Sequence, residues 1–138
     1  MKVLIDTCVI VDVLQNREPF AKDAQKIFIA AAKEKIDGFI AAKSVTDIYY
    51  LTHRITHSDK KSREVLSKLF ELFEPLDTAG IDCQRALPSP IADYEDAVLE
   101  QSARREKIDC IVTRNQKDFS KASVQVLSPG ELLKLINS

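Results

Sequence analysis

After Met1 a lysine leads into an unbroken apolar run, Val3, Leu4 and Ile5, which Asp6 ends abruptly. A run this short, with β-branched content, predicts a buried strand over 2–5, followed by a helix starting near Thr7. The stretch EPFAKDAQKIFIAAAKEKI then repeats Ala24, Ile27, Phe28, Ala31 and Ala32 at helical spacing. DGFIAA predicts a second strand, and Ser44 opens a helix over VTDIYYLTHRI with Val45, Ile48, Tyr49 and Thr52 on one face. SREVLSKLFELF is an amphipathic helix running into EPLD, a third strand, and AGIDCQRAL is a short helix ended by the prolines of LPSP. ADYEDAVLEQSARREK is the next helix, with the ARREK charges at its C-terminal end, where the dipole favours cations. DCIVT is a nearly continuous apolar strand, VQVLSP a last strand, and PGELLKLIN a terminal helix with Pro129 in its first turn. Strands alternating with helices predict an α/β fold, a three-layer α/β/α sandwich around a central, mainly parallel sheet.

Composition narrows this only slightly. At 138 residues the chain is sized for a single domain over 1–138, and 45% apolar with 30% charged residues is a globular balance. Lys plus Arg number 20 against 21 Asp plus Glu, so bulk charge gives nucleic-acid binding no support, while leaving room for a basic rim beside an acidic site. Cys8, Cys83 and Cys110 are an odd number without a CxxC pair, which suits reduced thiols. His53 and His57, four apart and without nearby Cys or acidic partners, read as points on one helix face rather than metal ligands. No stretch has the length of a signal-peptide core or a membrane span, so the expected location is cytoplasmic, away from membrane.

The candidate chemistry lies in the acids. In an open parallel sheet the functional crevice lies outside the carboxyl ends of the strands, and Asp6 directly follows the first of them. Asp93 and Asp96 share one helix entrance, Asp47 lies in the first turn of its helix, and Asp118 follows the strand CIVT. Singly, each has a structural explanation: Ser44 to Asp47 and Asp93 to Asp96 have the spacing of a capping box, and a helix N-terminus favours a carboxylate. Jointly they do not, because several carboxylates in one crevice repel unless a cation neutralises them or their pKa values rise. Mg²⁺ or Mn²⁺ suits all-oxygen ligands and can serve phosphodiester hydrolysis. A competing reading makes Asp6 a nucleophile that becomes phosphorylated, but Cys8 stands where haloacid-dehalogenase-like phosphatases need a second Asp.

Four stretches, KVLIDTCVIVDVLQNREPF, SVTDIYYL, DYEDAVLEQSA and DCIVTRNQKDF, together resemble the successive motifs of PIN-domain proteins, in the VapC-like toxin branch. The resemblance implies a PIN-like fold and an endoribonuclease dependent on Mg²⁺ or Mn²⁺, often homodimeric and held inactive by an antitoxin whose tail occupies the site. It implies Asp6 and Asp96 as metal ligands, with Asp93 an additional acid at the same entrance. Asp47 stands where the second motif usually has Glu, Asn115 where the fourth often has an acid, and Cys8 where the first often has Asn. Asn115 is then a neutral ligand or hydrogen-bonder, Asp118 the outer carboxylate, and Thr113 the hydroxyl residue beside them.

Arg114 and Lys117 flank the fourth motif, and Lys43 and Arg17 fall in loops expected at the same edge, which makes all four candidates for RNA phosphate contacts. Tyr49 and Tyr50 can stack on bases, although their helical spacing favours core or dimer packing. The alternative function is a non-catalytic PIN-like module that binds RNA or protein, for which the departures at Asp47, Asn115 and Cys8 speak.

Overall fold

In the computed structural model, which describes residues 1–137, five strands form one sheet: β1 (Lys2–Ile5), β2 (Asp37–Ala41), β3 (Glu74–Leu76), β4 (Cys110–Val112) and β5 (Gln125–Leu127). Their order is β3-β2-β1-β4-β5 and every pairing is parallel. A parallel sheet is covered on both faces, which is why its central strands are apolar at successive positions. Val3 and Ile5 point to one side and pack with Ile10, Ile27, Ile48, Leu69, Phe73 and Leu132. Leu4 and Ile111 point to the other and pack with Leu76, Ala97, Leu99 and Phe119.

The first layer comprises α1 (Thr7–Leu14), α2 (Ala21–Ala32), α3 (Ala42–Thr56), α4 (Asp59–Leu72) and α7 (Pro129–Asn137). The second comprises α5 (Gly80–Ala86), α6 (Tyr94–Arg105) and a short 3-10 turn, Gln116–Phe119. The expected three-layer α/β/α sandwich is therefore present. No helix among the described residues is long and apolar enough to cross a membrane.

Helix boundaries depart from expectation at α3, α4 and α2. α3 begins at Ala42, behind an extended Ala41 without a side-chain cap, so Ser44 is a buried first-turn residue and no Ser44–Asp47 capping box forms. Lys43 accordingly lies in the first turn of α3 rather than in a loop, and Asp47 in the second turn rather than the first. α4 starts at Asp59 because the Ser58 hydroxyl accepts the Lys61 amide at 3.1 Å. α2 is shorter than its periodic stretch, its exit set by Glu34 at φ 58°. His57 closes α3 at φ 52°, so the two histidines do not share a helix face.

Two contacts away from the sheet's carboxyl edge hold the frame. Asp82, buried on α5, accepts the Ala79 amide at 2.8 Å and the Ser102 hydroxyl of α6 at 2.9 Å, and pairs with Arg105 at 3.0 Å. Burial alone would raise its carboxyl, yet the Arg105 guanidinium and these hydrogen bonds outweigh that and hold it below the usual range. This clamp joins α5 to the far end of α6. At Gly38, on β2, an added Cβ would stand 2.5 Å from Cδ1 of the buried Phe73. Gly38→Ala is therefore expected to cost about 1–3 kcal/mol, the scale of overpacking a core, read as a lower urea midpoint at unchanged m-value.

Candidate active site

The chain proceeds from β1 outward through β2 and β3, then returns to place β4 on the other side of β1. The crevice at the carboxyl ends of β1 and β4 is thus the switch point of the sheet, where open α/β folds bind their ligands. Ile5 pairs with Val112, which brings Asp6 and Thr113 side by side as the next residues of each strand. Asp6 interrupts the apolar run because the run has reached this edge.

Asp6 is the N-cap of α1: its Oδ1 accepts the Thr7 amide at 2.9 Å, and its own N–H donates to the Val112 carbonyl at 2.9 Å. Its Oδ2 accepts the hydroxyl of fully buried Thr113 at 2.7 Å. The Thr113 oxygen in turn accepts the Asn115 amide at 3.0 Å, so the hydroxyl proton is committed to Asp6. Asn115 thereby contributes its backbone to the network. The Cys8 thiol lies 3.7 Å from both Asp6 Oδ2 and Thr113 Oγ1, and burial, then the Asp6 charge, push it up, so it sits there as a neutral thiol.

At the entrance of α6, Asp93 is the N-cap and accepts the Asp96 amide at 3.0 Å. Asp96 is pushed up to about 6 by burial and by the charges of Asp93, Asp6, Asp118 and Glu95. The helix dipole works in the opposite direction but does not cancel four carboxylates. Asp6, Asp93, Asp96 and Asp118 therefore form one electrostatic cluster.

A cleft of about 410 Å³ opens between α3 and α6, lined by Asp6, Lys43, Asp47, Tyr50, Arg54 and Asp96, among others. Asp47 is exposed on its wall. Lys43 is paired with Glu95 at 2.8 Å. On the other side of the acids, Asp93, Lys117, Asp118 and Lys121 line a second cavity of about 180 Å³. Arg17 lines neither; it is exposed in the loop after α1 and donates to the Gln15 side chain at 3.0 Å. Arg114 turns inward: its Nε and NH2 both donate to Asp12, the second at 3.0 Å, and its guanidinium lies 4.0 Å from the centre of the Phe20 ring.

Sequence reasoning missed Asp12, Glu95 and the cleft positions of Tyr50 and Arg54. A signal existed for all of these but Glu95. Lys43, Asp47, Tyr50 and Arg54 follow one another at intervals of four, three and four, a polar stripe on one face of α3. Asp12 is a lone acid within VIVDVL, an apolar surrounding that demands a buried partner.

Among the described residues no three His, Cys, Asp or Glu side chains converge tightly enough to hold a metal ion unaided. The donor set nevertheless fits Mg²⁺ or Mn²⁺. Asp6 and Asp96 offer hard oxygens in an uncompensated negative field, and Mg²⁺ usually takes only one or two carboxylates, keeping water and substrate phosphate for the rest.

Residues 2–117 match the family model of the PIN domain. Among solved structures, the chain is similar to VapBC2 from Rickettsia felis bound to a promoter DNA fragment, at 14% identity and TM-score 0.68, covering 93% of this chain and 98% of that one. A toxin–antitoxin complex from Klebsiella pneumoniae matches at 20% identity and TM-score 0.68, covering 92% and 97%. FitAcB from Neisseria gonorrhoeae matches at 18% identity and the same score, covering 93% and 98%. None of the curated proteins matches the chain.

Proposed function

This chain belongs to the PIN-domain family, and from that premise we propose that it is an endoribonuclease dependent on Mg²⁺ or Mn²⁺ and the toxin half of a toxin–antitoxin pair. The observation that carries this reading is the charge excess at the switch point: Asp96, raised to about 6, shares its field with Asp6, Asp93 and Asp118. A fold gathers such charge at a cost, and a cation relieves it.

Asp6 and Asp96 are the residues that would hold the ion, with Asp93 and Asp118 at the rim and Asp47 reaching in from α3. When bound, the ion supplies electrophilic polarisation of a phosphate and of the attacking water. The protein does the rest. Thr7 and Thr113 fix both oxygens of Asp6, so that carboxylate is oriented before anything binds. A rim carboxylate, Asp93 or Asp118, takes the proton of the attacking water. Of the cations expected from the sequence to meet the RNA backbone, Lys117 is the one at the acids that is left to do so, with Lys43 paired to Glu95 and Arg17 further out. A phosphoryl-aspartate at Asp6 is disfavoured because Cys8, a neutral thiol, stands where that chemistry needs a second acid.

The antitoxin partner rests on the similar structures, of which the one from Klebsiella pneumoniae is a toxin–antitoxin complex. A homodimer and a cytoplasmic location remain parts of this proposal, drawn from the resemblance and from the absence of a spanning helix among the described residues. A second reading, a non-catalytic module, is favoured by the fourth-motif position, where Asn115 contributes its backbone rather than an acid to the network, and by the neutral Cys8 thiol beside Asp6.

Purified protein incubated with a pool of single-stranded and hairpin RNAs separates the two. Cleavage with Mg²⁺ or Mn²⁺ that EDTA abolishes is the expected result. Retention of uncut RNA under every condition would favour the module.

A further inference from the structure

Resting on the ribonuclease reading, we propose that Tyr50 and Arg54 form a nucleotide subsite beside the acids, in which an unstacked base lies on the Tyr50 ring and a neighbouring phosphate meets Arg54.

Tyr50 and Arg54 lie one turn apart on α3 and line the same cleft as Asp6 and Asp96. Tyr50 is 63% exposed, an uncommon state for a large aromatic side chain. It is nevertheless braced. Tyr49 meets it edge to face at 5.2 Å and 84°, and Tyr49 is itself stacked on His53 at 5.8 Å and hydrogen-bonded to Asp59. A ring held this way loses little freedom when a base stacks on it. Leu51 and Leu99 in the cleft lining add apolar surface for a base.

Charge supports the same assignment. Arg54 is exposed and makes no hydrogen bond or ion pair among the described residues, whereas Arg114 is spent on Asp12 and Lys43 on Glu95. Arg54 is thus the cation on this wall of the cleft that is open to a phosphate, and Lys117 and Lys121 offer their counterparts beyond the acids. An aromatic platform next to a free guanidinium is how proteins hold single strands, since every base has a face to stack and every nucleotide a phosphate. A duplex keeps its bases stacked inside and cannot use the ring.

The test has a cleavage arm and a binding arm. With a single-stranded oligoribonucleotide and Mg²⁺, Tyr50→Ala is expected to raise KM about thirtyfold, the middle of the range for losing one base stack, with kcat within about twofold. Tyr50→Phe, which keeps the ring, is expected to restore KM. Arg54→Gln is expected to raise KM and to flatten the salt dependence of binding by about 0.7, the slope of one lost contact to a single strand. The same oligonucleotide annealed to its complement is expected to be cut at least tenfold more slowly, the mirror of the lost stack. In EDTA, quenching of a 2-aminopurine base in the oligonucleotide by wild-type protein is expected to vanish in Tyr50→Ala and to persist in Tyr50→Phe.

Unchanged KM and quenching in a folded Tyr50→Ala protein would overturn the subsite even if cleavage stands, as would wild-type protein that quenches nothing. Quenching that depends on the ring, in a protein that cuts no RNA, would uphold the subsite and remove the nuclease. A wild-type dimer that Tyr50→Ala converts to monomer by sedimentation would assign the ring to contact between copies and overturn the proposal.

Discussion

Replacing Asp96 by asparagine is expected to lower cleavage on the order of 10²–10³-fold, the scale of losing one preorganised electrostatic contact to a transition state, while making the metal-free protein more stable. The second half is the unusual one, since most substitutions destabilise. Burial and four neighbouring carboxylates raise Asp96 from the ordinary carboxyl range to about 6, so between those values the folded protein binds its proton more tightly than the unfolded chain. By linkage, stability then falls as pH rises towards 6 and stays lower above it.

Asparagine removes that loss. After allowance for solvent screening of a half-exposed group, the gain at pH 7 is about 1 kcal/mol, or about 3 °C in melting temperature. Melting curves at pH 4.5 and pH 7 in EDTA and in Mg²⁺ check both parts. In Mg²⁺ the wild-type melting temperature is expected to rise and that of Asp96→Asn to stay in place, because only a folded site with its ligand gains from the ion. A variant that melts lower than wild type at pH 7 in EDTA would show that Asp96 is not held under repulsion.

Arg114→Ala is expected to cost about 2–4 kcal/mol, because it strands Asp12, which is 1% exposed, as a buried charge without a partner. Lysine does not rescue it: one ammonium cannot replace a guanidinium that makes two hydrogen bonds to Asp12 and stacks on Phe20. Replacing both members with apolar residues of similar volume, Asp12→Leu with Arg114→Met, is expected to recover most of the loss, since neither charge then stays buried. Urea unfolding of the four proteins measures this directly. A phosphate-binding role for Arg114 makes the opposite prediction, a raised KM in a protein of unchanged stability. The geometry favours the structural outcome.

The alternation of strand and helix was legible because parallel strands must be apolar throughout and their helices must bury one stripe, as Val3 to Ile5 and the Ala24 to Ala31 repeat illustrate. Asp6 was legible for the same reason inverted: a charge in the wrong place for a core is in the right place for a sheet edge. Helix starts were less so. Ser44 has the chemistry of a cap, but α3 starts two residues earlier off an extended Ala41, and nothing in the local sequence ranks those two entries. Arg114 misled because a basic residue beside an acidic motif reads as substrate-facing until Asp12, 102 positions away, is seen to claim it. Tyr50 and Tyr49 are adjacent and chemically alike. Only the packing of α3 separates the braced ring from the bracing one.

The Asp82–Arg105 clamp fastens α6 at the end opposite its acids, nine residues from Asp96, or roughly 14 Å at 1.5 Å per residue. The acid-bearing end is tied as well, by the Tyr94 hydroxyl donating to the Cys83 carbonyl at 2.8 Å and by Glu95 paired with Lys43. Pinned at both ends, the helix cannot swing aside to relieve the acids crowded at its entrance. The strength of the site's demand for a cation is therefore set partly by an anchor, Asp82, that touches neither cation nor substrate.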